Sequence, residues 1–130
     1  MTLTTIFSII IIHFLGDFVL QTDKQAKGKS KNWLDLLEHT GTYVSVFVLP
    51  ICLLLGKTNP YGTCEWYVLN TLAFAIITFM FHTVTDYFTS RLNSKLWQEG
   101  KTHEFFVSIG FDQILHYVQL FTTYYLLTKI

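Results

Sequence analysis

Charge is scarce in this chain. Only 14% of its 130 residues are Asp, Glu, Lys or Arg, 51% are hydrophobic, and the two signs cancel. Soluble domains carry about 25% charged residues, so the shortage argues against an ordinary soluble surface. Net neutrality also removes the general electrostatic case for binding nucleic acid. Cysteine is nearly absent. Cys52 lies in an apolar run and Cys64 in a loop, with no CxxC pair, which indicates neither a disulfide nor a thiolate metal site. The opening MTLTTIFSIIII lacks the basic region of a signal peptide, and no small-residue cleavage pattern follows it. It reads as a retained first membrane helix.

What is present is long apolar sequence. Residues 2–21, 33–55, 66–90 and 104–128 each reach the roughly 20 residues needed to cross a hydrocarbon core of about 30 Å. In lipid such segments become helices, because every backbone polar group must be satisfied internally. The expectation is all-α: a polytopic membrane protein, one domain over residues 1–130, with a four-transmembrane-helix bundle and short loops. Lys24, Lys27, Lys29, Lys31, Arg91, Lys95 and Lys101 fall on one side, and Lys57 and Lys129 on the other. The positive-inside rule makes the richer side cytoplasmic and sends both termini outside, across the inner (plasma) membrane. The first lysine cluster reads mainly as a topology signal.

Ionisable residues recur inside these spans. HFLGD carries His13 and Asp17, HTVTD carries His82 and Asp86, and DQILH carries Asp112 and His116; His39 lies in the second span, beside Glu38. Positions i and i+4 share one helix face. At about 1.5 Å per residue, these side chains fall in one layer of the cytoplasmic half, each Asp nearer the cytoplasm than its His. The outer half is nearly bare of such residues. A carboxylate in a bilayer needs a partner. Imidazole and carboxylate are ligands for Zn, Mn and Fe, and one or two divalent ions would offset three buried carboxylates. The expected metal set is His13, Asp17, His39, His82, Asp86, Asp112 and His116, with Zn the first choice. Gln21, Glu38 and Gln113 are expected around it, orienting the ligands. The bland alternative is a hydrogen-bonded helix–helix network.

The blocks HFLGDFVLQTDKQAKGK, LLEHTGTY, HTVTDYFTSR and FDQILHYVQL resemble a family of small bacterial and phage inner-membrane proteins known only as a domain of unknown function. The resemblance spans nearly the whole chain. It implies membrane location and the same polar positions, and no activity. This chain has Thr89 where the family often has lysine, and no role is assigned to it. The site type is also similar to that of intramembrane metal-dependent hydrolases.

Three functions compete. The first is a metal-dependent hydrolase of a lipid or lipid-linked substrate, with Asp112 or Asp17 as general base. The second is a metal- or ion-binding carrier, for which a homo-oligomer could build the path. The third is a non-enzymatic interaction protein, for example phage-encoded, whose cluster is a structural staple. Membrane lipid is the expected partner, and nucleic acid is not.

Overall fold

A computed structural model describes residues 1–129. Among them the chain is all-helical, with no strand. Helix α1 (Leu3–Phe14) continues directly into a π-helical turn over Leu15–Val19, closed by the Leu20 N–H on the Leu15 carbonyl at 2.9 Å. The other helices are α2 (Asp23–Gly28), α3 (Trp33–Thr58), α4 (Cys64–Gln98) and α5 (Thr102–Leu127).

Polar residues set the boundaries. Thr2, Thr22, Asn32 and Thr63 cap α1 to α4, each accepting from a backbone N–H in the first turn. Thr22 and Gln25 form a reciprocal capping box, which explains a short helix where sequence reading placed only a loop. Gly100 separates α4 from α5 at φ +69°, a left-handed conformation that favours glycine. Pro50 lies inside α3 without ending it.

One boundary differs from the sequence expectation in a way that matters. Helix α4 runs eight residues beyond Ser90 and reaches about 52 Å, well over the roughly 30 Å of a hydrocarbon core. Its overhang meets the first loop, where Ser94 Oγ and Ser30 Oγ lie 3.0 Å apart. Arg91 stacks 3.7 Å over the Tyr87 ring, which in turn stacks on Trp33.

The long helices form a ring in which α1 neighbours α3 and α5, and α4 neighbours α3 and α5. Large apolar side chains point outward, among them Phe7, Leu49, Ile76, Phe81, Phe111 and Val118. Of the four expected spans, α3 and α4 are long and apolar enough to cross a membrane. Inside, the ring is divided. Phe47, Ile51, Leu55, Phe74 and Leu120 form an apolar layer toward the chain termini. The other half buries His13, Asp17, His39, His82, Asp86, Asp112 and His116.

Candidate metal centre

All seven expected ligands meet at the centre of the ring. They do not have equal roles. His39 Nε2 lies 3.1 Å from His82 Nε2, 3.2 Å from Asp17 Oδ1 and 3.2 Å from Asp86 Oδ2. His82 Nε2 lies 3.8 and 3.6 Å from the same two oxygens. A tetrahedron of Zn–N and Zn–O bonds near 2.0–2.1 Å has edges of about 3.3 Å, so these four atoms stand at ligand separation. Asp17, Asp112 and His116 make a second group that could hold an ion. Asp17 belongs to both groups. Asp86 spans them too, since its Oδ1 lies 3.2 Å from His116 Nε2 while Oδ2 faces His39. Carboxylates placed between two ligand groups are what a two-ion site requires.

The donor set fits a divalent ion. Asp17 Oδ1 is buried and has no hydrogen-bond partner among the described residues, although both Nε2 atoms face it. Two imidazole nitrogens 3.1 Å apart share at most one proton between them, so at least one of the two can offer a lone pair. Among the described residues three carboxylates face one ammonium, that of Lys29, so the balance of their charge falls to protonated imidazole or to a further cation.

His13 lies beside the ion groups. Gln113 Nε2 donates to Asp17 Oδ2 at 3.2 Å and to Asp112 Oδ2 at 3.1 Å, which turns its Oε1 toward His13. His13 Nε2 donates to that oxygen at 2.7 Å, and the Tyr43 hydroxyl donates to Nδ1 at 2.8 Å. Both ring nitrogens are thereby used, and His13 orients Gln113 rather than offering a lone pair. Gln113 takes the orienting place expected of it. Gln21 lines the cavity beside the site, its Oε1 buried and unpartnered. Glu38 stays outside: it is exposed and accepts from Lys24 at 2.9 Å. One residue before His39 on a helix, it is rotated about 100° away from the cluster.

Three residues were missed. Lys29, read as a topology signal, places Nζ 2.7 Å from Asp86 Oδ2 and 3.3 Å from His39 Nε2. Burial alone would lower the pKa of its ammonium, yet the Asp86 and Asp17 carboxylates hold it above the ordinary value. Nothing local in QAKGK distinguishes Lys29 from its neighbours. Thr89, assigned no role, donates to Asp112 Oδ1 at 2.7 Å. Tyr43 stacks on His82 with ring centroids 3.8 Å apart, and His116 packs on His82 at 4.3 Å. The outward Nδ1 atoms of His39 and His82 lack partners among the described residues, so packing fixes these rings. Tyr43 follows His39 by one turn in LLEHTGTY, a signal that could have found it. The close approach of the π-helical turn to α3 here depends on Gly16, where a Cβ would stand 3.0 Å from Tyr43 Cδ2.

A cavity of about 690 Å³ reaches the site from the lysine-rich end. Asp17, Asp112 and Gln113 form its floor, and Lys29 stands at its side. Asp112, whose side chain is 11% exposed, is the carboxylate best placed to exchange protons with water there.

No curated protein and no solved structure matches the chain. A family profile does match residues 5–130, nearly the full length and all four polar blocks. The chain therefore belongs to the protein family of unknown function DUF3307.

Proposed function

We propose that the chain is an intramembrane metal-dependent hydrolase acting on a lipid or lipid-linked substrate. It would cross the inner membrane four times, with both termini outside and the site in the cytoplasmic half. The carrying observation is the convergence of His39 Nε2, His82 Nε2, Asp17 Oδ1 and Asp86 Oδ2 at ligand separation below an open cavity. The inverted polarity of the bundle, with ionisable groups inside and large apolar side chains outside, supports the membrane setting.

Asp17, His39, His82 and Asp86 would hold one ion; Asp112 and His116 would complete a second with Asp17. Zn is the first choice for such a set, with Mn and Fe behind it. A bound divalent ion supplies Lewis acidity and lowers the pKa of water to about 7. The chain's own groups do the rest. Thr89 and Gln113 fix the Asp112 carboxylate by donating to its two oxygens. Asp112 then takes the proton of the attacking water at the cavity floor, and Asp17 is the alternative base. The wall of Phe18 and Phe106 offers apolar surface to a lipid chain.

The apolar layer of Phe47, Phe74 and Leu120 argues against a carrier, because it lies between the cluster and the far end of the bundle. A purely structural network is the second reading. The Lys29–Asp86 pair favours it, since an ammonium already meets one of the carboxylates.

Metal analysis of detergent-purified protein tests the choice. Wild type should carry at least one divalent transition ion per chain. The double variant His82→Ala, His116→Ala should lose it, and His13→Asn should keep it. Equal metal in wild type and the double variant would leave the network reading standing.

A further inference from the structure

The cavity above the candidate centre has a chemistry of its own. Its acidic side chains, Asp17 and Asp112, both belong to the ion groups. Its other charged residues are Lys27, Lys29 and Lys31, all from the segment that joins the π-helical turn to α3. Once ions neutralise the floor, the cavity presents only positive charge. A neutral ester or amide would make little use of three ammonium groups. A phosphate monoester carries about −1.5 to −2 charge near neutral pH and accepts hydrogen bonds on three oxygens.

The rest of the lining adds a second observation. Gln21 Oε1, Asn93 Oδ1 and Ser90 Oγ are buried, line the cavity and have no partner among the described residues. Asp17 Oδ1, on the floor and 4% exposed as a residue, is orphaned in the same way. Buried polar atoms are normally paired, so Asp17 Oδ1 awaits the ion, while Ser90 Oγ and the amide N–H groups of Gln21 and Asn93 can donate to phosphate oxygens. Trp97, Phe18 and Phe106 also line the cavity, and each is roughly half exposed or more on the bundle exterior. Apolar chain leaving the cavity would pass over them into lipid.

Resting on the hydrolase reading, we infer that the substrate is a phosphate monoester at the head of a membrane lipid, its phosphoryl group held between the carboxylate-bound ions and Lys27, Lys29 and Lys31. Water adds to phosphorus as the bond to the lipid oxygen breaks. The proton taken by Asp112 ends on the departing alcohol oxygen. The products are the lipid alcohol and inorganic phosphate, and no oxidant or reductant is needed.

Lys27 lies in the last turn of the short helix α2 and Lys31 in the turn that follows it. The one ion pair of Lys27, to Asp23 at 3.1 Å, is on the surface, so exchanging both lysines leaves the fold intact. The experiment uses the full chain in detergent micelles, with and without added Zn. Calorimetry measures inorganic phosphate binding, and turnover is followed on phosphatidic acid, diacylglycerol and glycerol 3-phosphate. The expected result has three parts: phosphate binds, phosphatidic acid releases phosphate, and diacylglycerol and glycerol 3-phosphate are untouched. In the double variant Lys27→Gln, Lys31→Gln, KM for phosphatidic acid and the phosphate dissociation constant should rise about tenfold, the loss expected for one or two charge-assisted contacts. Its metal content should not change.

The failures separate. Diacylglycerol cleavage without phosphate binding overturns the phosphate monoester and keeps the hydrolase. Phosphate binding that the double variant weakens, with no lipid turned over, keeps the anion site and overturns the hydrolase. Equal turnover of glycerol 3-phosphate overturns the lipid and keeps the phosphate chemistry. Absence of phosphate binding, with Zn or without, overturns the inference outright.

Discussion

Replacing Lys29 by methionine tests the electrostatic logic of the site. Methionine keeps much of the length and apolar stem while removing the ammonium. In wild type that ammonium lies 2.7 Å from Asp86 Oδ2, with the lysine side chain 16% exposed and the aspartate 2%. Removing one partner of a buried pair costs about 3–5 kcal/mol, because the other charge is left uncompensated. For a chain of this size that corresponds to a fall of about 10–20 °C in Tm. The loss should be largest without metal, when only protonated imidazole is left to offset Asp17, Asp86 and Asp112. A divalent ion on the same carboxylates meets the need that Lys29 met. Added Zn should therefore raise the Tm of Lys29→Met more than that of wild type, and by linkage the variant should bind the ion more tightly. Thermal unfolding in detergent, followed by circular dichroism at several Zn concentrations, measures both quantities. Equal Zn-induced shifts in the two proteins would mean that Lys29 and the ion do not share these carboxylates, and the charge argument would fail.

Asp112→Asn should retain shape and lose basicity, lowering lipid turnover by about 100- to 10,000-fold. Metal content would show whether it also serves as a ligand, and unchanged turnover would pass the role to Asp17→Asn. Gly16→Ala should push the Tyr43 ring, lower metal content and cost about 1–3 kcal/mol, the range for overpacking a close contact. A variant as stable and as metal-rich as wild type would show that the approach of the π-helical turn to α3 can relax. Metal content should fall as pH is lowered, because protons compete with the ion for imidazole and carboxylate; a flat profile down to about pH 4 would contradict a His/Asp ligand set. Reporter fusions at Ile130 and within Lys24–Lys31 should place the C-terminus outside and the lysine loop inside, and a cytoplasmic C-terminal reporter would reverse the orientation.

The sequence by itself determined the helical class and the polar layer. Helical periodicity is local: His13 and Asp17, His82 and Asp86, and Asp112 and His116 must share faces whatever the helices do next. Long apolar runs and scarce charge set the expected environment in the same local way. The division of labour among those residues was decided only by tertiary structure. His13 matches His82 in its own motif, yet its ring nitrogens are occupied by Tyr43 and Gln113, groups 30 and 100 residues away. Lys29 looks like any lysine of a topology signal until the α2 turn carries it to Asp86, 57 residues on. Thr89 gains its role only where α4 passes α5. The overhang of α4, and with it the cavity wall, depends on where Gly100 turns the chain. Spacing along one helix fixes a face; which groups compete for a proton or an ion depends on distances between helices, and packing sets those.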